Sequence, residues 1–249
     1  MTDRPRTQAP PTRQPHRATN PDRTLRTITV TLGVLIATYV SLDMPAHELP
    51  LQSALTAPEG QTIIQRYGPA ATLLTLLPAL LAAIPTMLPA HIRTWATTAA
   101  AAALTALTPV AGNLGLYYLP VTLMLWATTI VPWTLRRGIG RTATRAWHLT
   151  AAAFLALPAL PAGAAILTDD TGIAWYAVGL WVITPLALAT LCALAIPAGY
   201  AATALAGTLV MAASIVDQGF LFAAFWLFAT AYLTIGASGL TATRARSKP

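Results

Sequence analysis

Apolar residues follow one another for a helix's length again and again along this chain, and short polar interruptions between those runs hold nearly all of its charge. Crossing about 30 Å of hydrocarbon takes roughly 20 apolar residues in a helix, so each run reads as a span. The runs cover about 25–42, 69–89, 95–112, 115–135 and 147–167, then a stretch from Gly172 to Val216 with no charge, and finally 220–240. As one helix, that 45-residue stretch would be about 67 Å long at 1.5 Å per residue, more than any bilayer. Ile196-Pro197-Ala198-Gly199-Tyr200 divides it, Pro197 breaking the ladder and Gly199 allowing the turn. The pattern predicts an all-α polytopic transmembrane helix bundle of about eight spans.

Charge orients the bundle. Arg136, Arg137, Arg141 and Arg145 form a basic island in an inner loop, 136–146, and basic loops stay on the cytoplasmic side. With eight spans and both termini cytoplasmic, 14 of the 15 Lys and Arg residues fall inside, Arg66 excepted, and six of the eight acidic residues fall outside. Seven spans would put the C-terminal arginines outside. The domain reading is a basic, Pro-rich, disordered cytoplasmic tail over 1–24, a transmembrane domain over 25–241 with an outer loop at 43–68, and a basic tail over 242–249. The first run is an uncleaved span, since no small-x-small cleavage pattern follows it.

Composition agrees. Only 9% of residues are charged and 55% are hydrophobic, with mean hydropathy +0.60, where a soluble domain carries about a quarter charged residues. The net charge of +7 sits in tails and one loop with no aromatic-interleaved face, so no nucleic-acid partner is expected. Arg, Ala, Thr, Leu and Pro dominate as in a GC-rich bacterial genome, which places the chain in a bacterial cytoplasmic membrane as a multi-pass protein. Cys192 is the only cysteine, so neither an internal disulfide nor a cysteine metal cluster is available.

Local features refine the spans. Pro78 and Pro85 lie seven apart and predict a kink whose freed carbonyls are taken by neighbours. The third span is rich in Ala and Thr, which suits close packing, and the fourth carries Tyr117, Tyr118, Trp126 and Trp133, which suit interfacial anchoring. Gly199, Thr203 and Gly207 recur every four residues and present a small face to another helix. Asn113-Leu114-Gly115, Asp170-Thr171-Gly172 and Asp217-Gln218-Gly219, each followed by aromatics, read as helix caps with tight turns, or more sharply as a duplicated hairpin.

Candidate chemistry is thin. Asp43, His47 and Glu48 begin a metal site in type only, because Pro45 intervenes and no second ligand cluster exists. Asp169 and Asp170 read as a turn and cap, His148 as an interfacial histidine beside Arg145 within reach of a lipid phosphate, and Cys192 as an inert buried thiol. Gly236-Ala237-Ser238-Gly239 resembles the GxSG around the nucleophilic serine of rhomboid intramembrane proteases. That resemblance covers four residues, and it implies a histidine on a later span, whereas the 11 residues after Ser238 contain none. Small residues packing a helix end explain the motif without catalysis. No ionisable group sits near the middle of a span, which disfavours a proton-coupled pump. No cofactor is expected.

Arg137, Arg141 and Arg145 are spaced by four, so a helix continuing through the island would align them as a candidate docking ridge for anionic lipid headgroups or an acidic partner. Three functional classes follow: a non-enzymatic packing, anchoring or immunity-type membrane component; a permease-like subunit of a transport or export system working with another membrane subunit or a cytoplasmic ATPase; and a lipid-acting enzyme. The first needs nothing beyond the residues seen.

Overall fold

The computed structural model describes residues 21–44, 61–69, 71–138, 140–168, 175–216 and 222–246. The expectations about the tail before Pro21, His47 and Glu48, an interfacial segment near 51–55, Asp169 and Asp170, and the turn at 217–219 lie outside them. The described residues are 91% helical and include no strand.

The helices are α1 (Pro21–Leu42), α2 (Ile63–Tyr67), α3 (Ala71–Thr75), α4 (Leu77–Met87), α5 (Ala90–Val110), α6 (Asn113–Arg137), α7 (Arg141–Ala156), α8 (Ala159–Thr168), α9 (Trp175–Val178), α10 (Thr184–Ala193), α11 (Pro197–Val216) and α12 (Phe222–Arg246). A π-helical turn, Gly179–Ile183, joins α9 to α10. Among the described residues six runs are long and apolar enough to cross a membrane: α1, α6, α7 with α8, α9 with α10, α11 and α12. This is the fold of a multi-pass membrane protein. The expected second span is instead two short helices, α3 and α4, and the third, α5, has the length but is diluted by Thr94, Thr97, Thr98, Thr105 and Thr108.

Prolines set the breaks. Pro78 cannot donate to the Leu74 carbonyl, and the Tyr118 hydroxyl donates there at 3.4 Å from α6. Past Pro158, where α7 gives way to α8, the Leu155 carbonyl accepts the Tyr232 hydroxyl of α12 at 2.7 Å. The break between α10 and α11 falls where expected but by another device. Ala195 takes the left-handed conformation, φ 57°, while Gly199 lies inside α11, where a Cβ would meet Leu191. Likewise Gly112, φ 58°, makes the turn into α6, and Gly115 is needed because a Cβ would strike the Thr108 carbonyl.

Among the described residues three buried clusters hold the bundle, the smallest of them Leu25, Met124 and Ala237, and two carry most of the packing. The larger joins α1, α4, α5, α6, α11 and α12 through Val40, Leu104, Tyr117, Tyr118, Val121 and Trp226. Tyr117 and Tyr118 thus pack inside rather than at headgroups: Tyr117 lies between Tyr39, Phe222 and Trp226 at centroid distances of 5.4–5.9 Å. The Trp226 indole donates to the Leu116 carbonyl at 2.8 Å. The smaller cluster gathers Leu155, Leu188, Cys192, Tyr200 and Tyr232 where α7 and α10 meet α11 and α12.

Candidate functional site

Polar chemistry gathers at one end of the bundle, in two adjoining places. The first is a cleft bounded by the start of α1, the end of α4, the start of α5 and the end of α6. It consists of two cavities of about 590 and 350 Å³ that share Asp22, Arg26 and Arg93. Arg23 lines the larger and Arg136 the smaller. The cleft exists because α1 and α4 touch higher up, where a Cβ on Gly33 would come within 3.0 Å of the Ala79 Cα. Below that contact Val30, Thr31 and Thr86 line open space.

Its charges are fixed unequally. Arg26, with 11% of its side chain exposed, donates from Nε to Asp22 Oδ1 at 2.9 Å and from Nη1 to the buried Thr97 hydroxyl at 2.7 Å. Arg93 closes the end of α4, donating from Nε and Nη2 to the Leu88 carbonyl at 3.1 and 2.9 Å. Arg136 donates to the Pro132 carbonyl at 3.2 Å and is exposed, as is Arg23. Arg26 with Asp22 is the one ion pair among the described residues, so Arg23, Arg93 and Arg136 have no carboxylate partner among them. A single carboxylate among four guanidinium groups leaves the cleft strongly positive.

The second place is a cavity of about 260 Å³ between α6, α7 and α12. Thr134, Thr144, Trp147, His148, Ser238 and Thr243 are among its walls. His148 is not simply interfacial: its Nδ1 is hydrogen-bonded to the hydroxyl of Tyr200, which is buried and also lies 3.1 Å from the Cys192 carbonyl oxygen. A phenol has one proton, so Tyr200 donates to the Cys192 carbonyl or to Nδ1, and the direction of the bond to His148 follows the imidazole tautomer. The glycines around Ser238 serve packing as expected. A Cβ at Gly236 would meet Ala204, and one at Gly239 would enter the Tyr200 ring. A histidine does reach the cavity of Ser238, but from an earlier helix, and it is hydrogen-bonded to Tyr200.

The island does not form a continuous ridge. Gly138, φ 67°, ends α6, so Arg137 belongs to that helix while Arg141 and Arg145 share a face of α7. Arg137 lies over the Trp133 ring at 4.7 Å, and all three arginines are exposed. Among the described residues no group of three His, Cys, Asp or Glu side chains is placed to hold a metal. The cleft escaped the sequence reading, although Arg136 belongs to the island, because each of its arginines marks only a helix end. Which ends are neighbours depends on packing that hydropathy does not encode. Comparison of the chain with known protein families, curated proteins and solved structures finds no match.

Proposed function

We propose that the chain is an eight-span protein of the cytoplasmic membrane with both termini inside, a non-enzymatic component anchored at the cytoplasmic leaflet by its basic end. Convergence carries this reading: Arg23, Arg26, Arg93 and Arg136 come from three helices to one cleft, and the α6–α7 turn with Arg137, Arg141 and Arg145 stands beside it. Lys and Arg are retained on the cytoplasmic side during insertion, so a shared basic end is an inner end. In this reading α3 with α4, and then α5, supply the second and third crossings; the 21 residues of α5 reach about 31 Å at 1.5 Å per residue. Anionic lipids of that leaflet are the partner this end suits, at about 1 kcal/mol per basic residue near the surface.

Single cysteines test the orientation against a low background, because the native Cys192 is buried. Cysteine in place of Ser53, Thr171 or Gln218 is expected to react with an impermeant thiol reagent from outside, and in place of Gly138 to stay unlabelled. Outside labelling at Gly138 rejects the orientation. A permease-like role beside a separate ATPase draws on a different observation: only 22% of an 18-residue apolar stretch in each of the α7–α8 and α9–α10 runs is buried, against 61% of the corresponding stretch in α6, a loosely held pair able to shift. Co-purification of an ATPase with the solubilised chain favours that reading.

A further inference from the structure

The cleft's donors and acceptors define a ligand more narrowly than its charge does. Arg93 commits Nε and Nη2 to the Leu88 carbonyl, which holds the guanidinium in place before any ligand arrives and leaves Nη1 for the cleft. With Arg23 and Arg136 it supplies the positive charge that has no carboxylate among the described residues. The threonines have the opposite character. Thr27 donates to the Arg23 carbonyl at 3.0 Å, Thr86 to Ala83 at 2.6 Å, and Thr128 and Thr129 to Leu125 at 2.7 and 3.2 Å. The protons of these four are spent, so what they turn to a ligand is acceptor lone pairs, while Thr31 and Thr94, the other two threonines lining the cleft, can donate or accept. A fitting ligand is therefore an anion next to hydroxyl donors. A choline headgroup has no donor, and an ethanolamine headgroup brings a cation into a site already rich in arginine.

The surroundings choose a lipid over a free anion. Above the cleft the outward faces of α1 and α4 expose Val34, Leu35, Leu80 and Ile84, a track for acyl chains leading up from the headgroup level. Basic pockets between transmembrane helices on the cytoplasmic side are a recurrent solution for holding anionic headgroups. We infer that the cleft between α1, α4, α5 and α6 holds the headgroup of an anionic, glycerol-bearing phospholipid, its phosphate at Arg93, which both cavities share, flanked by Arg23 in one and Arg136 in the other, and its headgroup hydroxyls toward the threonines. The inference rests on the proposed orientation only in naming the leaflet.

The experiment is lipid retention measured by native mass spectrometry, with the full chain reconstituted in vesicles of equal phosphatidylglycerol, phosphatidylserine and phosphatidylcholine and then extracted into mild detergent. Phosphatidylglycerol is expected to stay bound in preference to both others. Arg23→Gln and Arg136→Gln change exposed side chains that make no hydrogen bond or ion pair between helices among the described residues, and each is expected to lower retention about fivefold, the equivalent of about 1 kcal/mol per arginine. Equal retention of phosphatidylcholine overturns the site, as does parental retention by both variants. Equal retention of phosphatidylserine overturns the hydroxyl preference, and displacement by millimolar inorganic phosphate makes the cleft a free-anion site. The orientation is read separately: outside labelling at Gly138 with unchanged retention rejects the topology and leaves the cleft standing.

Discussion

Threonine hydroxyls in this bundle are satisfied within their own helices, as where Thr29 donates to Leu25 and Thr122 to Tyr118 at 2.8 and 3.0 Å. Thr230 departs from that habit: its Oγ1 is buried and has no partner among the described residues. A buried, unsatisfied hydroxyl costs about 1–3 kcal/mol, and valine keeps the shape without the polar atom. Thr230→Val is therefore expected to raise the melting temperature in detergent, by the equivalent of about 1 kcal/mol. A fall shows that the hydroxyl is satisfied in the intact protein. At this scale the sequence was only partly legible. Tyr117 and Tyr118 look like headgroup anchors by type, yet their rings fill the contact between α6, α1 and α12, because a helix end surrounded by neighbours buries what a lone helix would present to lipid. Glycine is the usual residue for φ above zero, yet Ala195 takes that role while Gly199 is kept small for Leu191.

Between helices, where lipid removes the hydrophobic driving force, close van der Waals contact does the holding, and small residues permit it. The face of Gly199, Thr203 and Gly207 is legible from its spacing of four and is buried throughout. A Cβ at Gly207 would come within 2.4 Å of the Leu233 nitrogen, and one at Gly236 on α12 within 2.3 Å of the Ala204 nitrogen, so α11 and α12 meet backbone to backbone from both sides. Gly207→Leu has no flexible neighbour to displace. It is expected to lower stability by about 3 kcal/mol, toward the upper end of overpacking costs, and thermal melting in detergent reads it. A variant that melts like the parent refutes this contact. The proline breaks were legible for the same local reason, since a missing N–H acts wherever the proline sits. The partner of the freed Leu74 carbonyl, Tyr118, and that of the Leu155 carbonyl at the α7–α8 break, Tyr232, come from distant helices and were not.

For the molecule as a whole, hydropathy and the arginine asymmetry expose helical architecture and a basic end, while the cleft depends on which ends adjoin and only the packed bundle reveals it. The same separation divides the arginines by role. Arg23, Arg93 and Arg136 line the cleft, whereas Arg137, Arg141 and Arg145 lie outside it on either side of the Gly138 turn. Exposed charges act on the leaflet through a screened field, about 10 Å in reach at 0.1 M salt and 3 Å at 1 M. Replacing Arg137, Arg141 and Arg145 together with Gln is expected to keep the orientation, because Arg136 and the other inner charges remain. The fraction of spin-labelled phosphatidylglycerol held motionally restricted around the protein should fall at low salt, and variant and parent should converge near 1 M. A difference that persists at high salt makes these arginines part of a specific site. No difference at low salt reduces them to a topology signal, and the ridge read from their spacing then has no docking role.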